Sequence, residues 1–154
     1  MLNRHIRVIG YCKRFISNCR NPKANRKSTI LSTQDLEQAL ISCVKIVQQI
    51  PYAQEMRNLM EQQEISGSTS LKTLLPFIDK EGLLRVGGRL LKSTLPYQTM
   101  QQMILPSNHH FTKFLVSAEH IRLHHAGPQL LIASLREKYW IPRIRKLVKT
   151  FISA

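Results

Sequence analysis

The chain has 154 residues and a formal charge of +14, from 23 lysines and arginines against 9 acids, with an apolar share of 43%. That length allows one domain or two small ones, the apolar share excludes wholesale disorder, and the charge favours a polyanionic partner, nucleic acid before membrane. No apolar run approaches the roughly 18 residues of a membrane span, and three cysteines without Cys-x2-Cys spacing point to reduced thiols in an intracellular protein.

Residues 1–31 read as a basic amphipathic helix and a linker. Leu2, Ile6, Ile9, Cys12, Phe15, Ile16 and Cys19 recur at helical steps, and Arg4, Arg7, Lys13, Arg14 and Arg20 fill much of the other face. Gly10 argues against an unbroken helix. Basic residues interrupt every early apolar stretch, which excludes a cleavable secretory signal. The absence of acids before Asp35 imitates a mitochondrial presequence. Residues 32–70 form a helical pair. Ser32 and Asp35 make a capping-box-like start, and Leu36, Ala39, Leu40, Cys43, Val44 and Val47 form an apolar stripe. Pro51 breaks the helix, after which Met56, Leu59 and Met60 share one side of a second. Ile65 to Ser70 reads as a loop.

Residues 71–107 are short apolar runs punctuated by Pro and Gly, a small β-hairpin extension. Gly82 opens LLRV, Gly87-Gly88 supplies a tight turn, and RLLKS returns. Gln102 to Leu105 supplies a third short strand. A sheet this small must lean on the helices that follow. Residues 108–154 read as three helices. The first places Phe111, Phe114, Leu115, Ala118 and Ile121 on one face. Gly127 is free to take positive φ, and Pro128 suits the first turn of a second helix carrying Leu130, Leu131, Ala133, Leu135 and Tyr139. A third, basic helix follows Pro142, with Ile144, Leu147, Val148 and Phe151 inward. The fold class is therefore mainly α with a small β-hairpin subdomain.

His120 and His125 bracket the end of the first of these helices, and imidazole nitrogen is a good zinc ligand. They converge only if the helix ends between them. His120 with His124, at i and i+4, is the alternative pair, and hydrogen-bonded surface histidines are the bland one. His109 and His110 suit a cap or solvent contact. A closed structural zinc site takes four ligands, and no cysteine follows Cys43. Arg136, Lys138, Arg143, Arg145, Lys146 and Lys149 cluster over the second and third helices, and Arg85 and Arg89 flank the hairpin turn. Cations at this density engage phosphates with little sequence preference; the alternative is a solvated basic surface with Tyr139 and Trp140 as core anchors.

The strings P-F-I-D-x-x-G-L-L-R-V-G-G-R-L, I-L-P-S-N-H-H, H-x4-H-A-G-P-Q-L-L and L-R-E-K-Y-W-I-P, followed by a basic amphipathic helix, resemble the His-His-Cys-Cys zinc module of retroelement integrases, and within them the Pao/BEL class of long-terminal-repeat retrotransposons. The resemblance implies a three-helix module at the C-terminal end, with His120 and His125 as the first two zinc ligands. It sets the first cysteine of the missing pair just past Ala154, so zinc binding is expected to be weak or absent. It also makes the N-terminal basic helix the linker between ribonuclease H and integrase, in preference to a mitochondrial address.

Catalysis is not expected. The acids are scattered and lack the carboxylate spacing of an integrase core, no HExxH arrangement is present, and the cysteines lie in apolar stripes where burial makes a thiol inert. The expected function is that of a truncated, non-catalytic integrase zinc-binding region. It would contact DNA or RNA backbones nonspecifically, assist integrase assembly, and work in the nucleus or cytoplasm, with no membrane and no small-molecule substrate. The competing expectation is a self-associating retroelement remnant that binds neither zinc nor DNA.

Overall fold

The computed structural model describes residues 2–27, 30–63, 71–87 and 97–153, which are mainly helical with a small four-stranded sheet. The chain divides into two compact units, Met1–Cys43 and Val44–Ala154, and the division falls inside one helix.

In the first unit, α1 (Leu2–Arg20) runs unbroken through Gly10. The glycine has a packing reason: a Cβ there would meet Leu31 Cδ1 at 3.1 Å and stand 3.9 Å from Ala39 Cβ. Bare backbone lets these neighbours close in. α2 (Thr33–Gln49) starts at the expected capping box, where Ser32 Oγ accepts the Asp35 N–H at 3.2 Å and the Asp35 carboxylate accepts the Ser32 N–H at 2.9 Å. The same carboxylate accepts from the Ser32 hydroxyl at 2.7 Å and from the Arg14 guanidinium at 2.6 Å, which ties α1 to α2. The Ser32 bonds first, and then Arg14, pull the Asp35 carboxyl from 3.8 down to about 2.

The inward face of α1 corrects the sequence reading. Leu2, Gly10 and Arg14 are buried, whereas Cys12, Phe15, Ile16 and Cys19 are exposed. Apolar residues cover too much of this helix to form a single stripe, and the close approach at Gly10 selects which part is covered. Only Cys43 is a buried thiol, and burial pushes it up.

The second unit opens with the end of α2. Gln48, fully buried, donates its amide to the carbonyls of Leu84 at 2.9 Å and Ile104 at 2.7 Å and accepts the Leu84 N–H at 2.9 Å. One carboxamide thus satisfies three backbone groups of buried residues. Beyond Pro51, α3 (Ala53–Met60) buries Met56 and half-buries Leu59 but leaves Met60 exposed.

The sheet comprises β1 (Phe77–Ile78), β2 (Leu84–Arg85), β3 (Met103–Ile104) and β4 (Tyr139–Trp140), in that order. β1 to β3 pair antiparallel, and β4 joins β3 in parallel with Met103 opposite Tyr139. The third expected strand is thus β3. The described hairpin turns earlier than expected, between Asp79 and Leu83. There Asp79 Oδ1 accepts the N–H groups of Glu81 and Leu83, each at 2.9 Å, and Gly82 takes a φ of 77°. Gly88 and the expected return strand RLLKS lie outside the described residues. A one-turn helix, α4 (Tyr97–Met100), leads into β3.

Three helices follow: α5 (His110–Arg122), α6 (Pro128–Arg136) and α7 (Ile144–Ile152). Tyr139 does not belong to α6. It is drawn into β4, where the Met103 N–H donates to the Lys138 carbonyl at 3.0 Å and the Leu105 N–H to the Trp140 carbonyl at 2.9 Å. A sheet edge wanting a partner outcompetes one more helical turn. Leu131, Leu135, Ile141, Ile144 and Val148 complete the core beside Val116 and Leu115. The inward face of α5 is Thr112, Leu115 and Val116, while Phe114 and Ile121 are exposed. The buried Thr112 hydroxyl donates to the Pro106 carbonyl at 2.7 Å. Among the described residues no helix is long and apolar enough to cross a membrane.

Candidate functional site

The five-residue step from His120 to His125 acquires its geometry from the way α5 ends. The His125 N–H donates to the His120 carbonyl at 2.9 Å, and the His124 N–H donates to the Ile121 carbonyl at 3.0 Å. These nested bonds are the Schellman ending of a helix, which requires a left-handed residue just past the cap. His124 supplies it with φ 51°, and His125 follows at 61°. Gly127, expected to carry the positive φ, instead has φ −60° and caps α6. Histidine is among the few non-glycine residues that enter the left-handed region readily.

A Schellman ending folds its outer residue back onto the last helical turn, and that brings the two imidazoles together. Their ring centroids are 4.8 Å apart at an interplanar angle of 81°. Phe151 from α7 stands edge-on to His120 at 5.7 Å. His120 Nδ1 is buried with no hydrogen-bond partner among the described residues. His124 and His125 are both exposed, and His124 makes no such ring contact with His120. His109 caps α5, its Nδ1 accepting the Phe111 N–H at 3.1 Å.

Two imidazoles supply half of a four-ligand structural zinc site, and no group of three or more potential metal ligands occurs among the described residues. Side chains join α5 and α6 beside the turn. Arg122 donates to Glu119 at 2.6 and 2.9 Å and to Ser134 Oγ at 3.0 Å, and the Ser134 hydroxyl donates to the same carboxylate. The Arg122 hydrogen bonds hold the Glu119 carboxyl below its ordinary value.

Arg136, Lys138, Arg143, Arg145, Lys146 and Lys149 are all exposed. The structure brings most of them along three adjoining grooves. The first, about 470 Å³, is lined by Gln129, Ile132, Ala133, Arg136 and Arg145. A second, about 190 Å³, shares Arg136 and Arg145 and adds Trp140, Pro142 and Arg143. The third, about 440 Å³, shares Pro142 and Arg143 and adds Lys146, Lys113, Ser107 and Thr150. Among the described residues no acid lines any of them. Arg143, at the junction, holds a left-handed φ of 54° as the cap of α7, a conformation that costs energy in a non-glycine residue. Lys113 escaped the sequence reading, because only the packing of α5 beside α7 sets it across from Lys146.

Arg85 is corrected. It is only 4% exposed, donates to the Asp79 carboxylate and to the Gln101 carbonyl at 2.8 Å, and lies 5.2 Å from the Tyr97 ring centre. Its charge is paired inside the hairpin. Arg89 lies outside the described residues. Trp140 is a core anchor, packing against the cluster of Tyr52, Met56, Leu84 and Ile104, and it also lines the second groove. Comparisons of the chain with family models, with curated proteins and with solved structures return no match.

Proposed function

We propose that the second unit is a non-catalytic module that holds nucleic-acid backbones, of the kind that accompanies retroelement integrases and assists their assembly. The observation that carries this reading is the run of three adjoining grooves lined by Arg136, Arg145, Arg143, Lys146 and Lys113, with no acid among the described residues that line them. Phosphodiesters are matched by such a track, and base edges are not, so binding is nonspecific and salt-dependent. The motif strings and the converged His120–His125 pair support the integrase kinship. Two imidazoles leave zinc affinity weak, and no step of the proposed function passes through the metal. Such work belongs in the nucleus or cytoplasm.

The experiment is fluorescence anisotropy with labelled duplex and single-stranded oligonucleotides of scrambled sequence. Arg136→Glu with Arg145→Glu should weaken binding of both probes roughly tenfold or more, since two favourable phosphate contacts become repulsive. Both residues are exposed, so the far-ultraviolet spectrum should not change. Unchanged affinity in the folded double variant would contradict the proposal.

A further inference from the structure

α1 carries an apolar stripe that is not its packing face. Val8, Tyr11, Cys12, Phe15, Ile16 and Cys19 follow at three- and four-residue steps and all are exposed, Phe15 by 69%. The packing face, with Gly10 and Arg14, meets Leu31 and the start of α2 on the other side of the helix. From Val8 to Cys19 the stripe is about 17 Å long at the helical rise. Exposed Arg4 and Arg7 flank it near one end and exposed Arg20 closes the other. The remaining cations of the helix are engaged within the unit: Lys13 with Ser42 at 2.7 Å and Arg14 with Asp35. No acid precedes Asp35 in the chain.

Three occupants differ in how they meet these features. Nucleic acid satisfies the arginines and leaves the apolar stripe in water. A second copy of the helix covers the stripe but sets arginines against arginines with no acid to pair them. An anionic bilayer surface satisfies both: aliphatic and aromatic side chains enter the boundary of the acyl region while arginines reach the phosphates above them. We propose that α1 lies in the plane of an anionic membrane surface, with Phe15 and Ile16 at the centre of its buried face. This departs from the expectation of no membrane partner, and it stands independently of the grooves on the second unit.

The full chain, highly basic, is attracted to anionic vesicles by charge alone, so the test must change apolar area at constant charge. Co-sedimentation with phosphatidylserine–phosphatidylcholine vesicles should be weakened roughly tenfold or more by Phe15→Ser with Ile16→Ser, two side chains whose transfer from water dominates the stripe. The same variant should keep its oligonucleotide affinity. In a second measurement, vesicles should slow alkylation of Cys12 and Cys19 by a water-soluble maleimide, whereas oligonucleotide should not. Equal vesicle affinity in the serine variant, or unchanged alkylation on vesicles, would overturn the proposal. So would a vesicle-free dimer in which both thiols are already protected, since a second copy would then cover the stripe.

Discussion

At the scale of single residues, two side chains decide how the second unit is read. The spacing of His120 and His125 is legible, but sequence alone points to Gly127 as the residue of positive φ that ends the helix. The structure gives that duty to His124 and uses Gly127 as a cap. Replacing His124 by glycine should therefore stabilise the unit by about 1 kcal/mol in urea unfolding, because the left-handed position no longer strains a Cβ. A β-branched residue there should do the reverse. Charge counting offers Arg85 as a phosphate contact because it ignores where an acid lies. Asp79 is six residues back and returns to it across the hairpin, both side chains being 5% exposed. Arg85→Ala should cost about 3 kcal/mol by stranding a buried carboxylate. Oligonucleotide affinity, measured per folded molecule, should stay the same.

Elements differ in how well local sequence specifies them. The capping box at Ser32 and Asp35, the break at Pro51 and the extents of α5 and α7 follow from residues within a turn of each boundary. Strands of two residues carry no period to detect, and β4 exists because β3 offers it a free edge. α1 was legible as a helix but not as to which face turns inward, since its apolar residues nearly encircle it. Asp35 gives the first unit a pH signature. Its folded value, about 2, lies below the ordinary 3.8, so the unfolded chain takes up the proton first as pH falls. The stabilisation is complete above the ordinary value and is lost progressively as pH drops from about 4 towards 2. Hydrogen exchange of α1 and the start of α2 across that window should show the loss, and Asp35→Asn should flatten it.

For the whole molecule, the class of fold was legible and the surface was not. Helical periodicity and the Gly and Pro punctuation imply a mainly helical chain with a small sheet, as found. The grooves arise only when α6, the Pro142 corner, α7 and the start of α5 are placed side by side, which no spacing rule reveals. Within a charge of +14, the structure separates cations that face the grooves from those spent internally, such as Arg14 and Arg85. That separation is the central claim, and the salt dependence of oligonucleotide binding tests it most directly. The logarithm of the binding constant should fall steeply against the logarithm of salt concentration, and each alanine at Arg136, Arg143, Arg145 or Lys146 should reduce the slope by about 0.9. Arg85→Ala should leave it unchanged. A slope that ignores the four groove residues, or that falls as much with Arg85→Ala, would contradict the account.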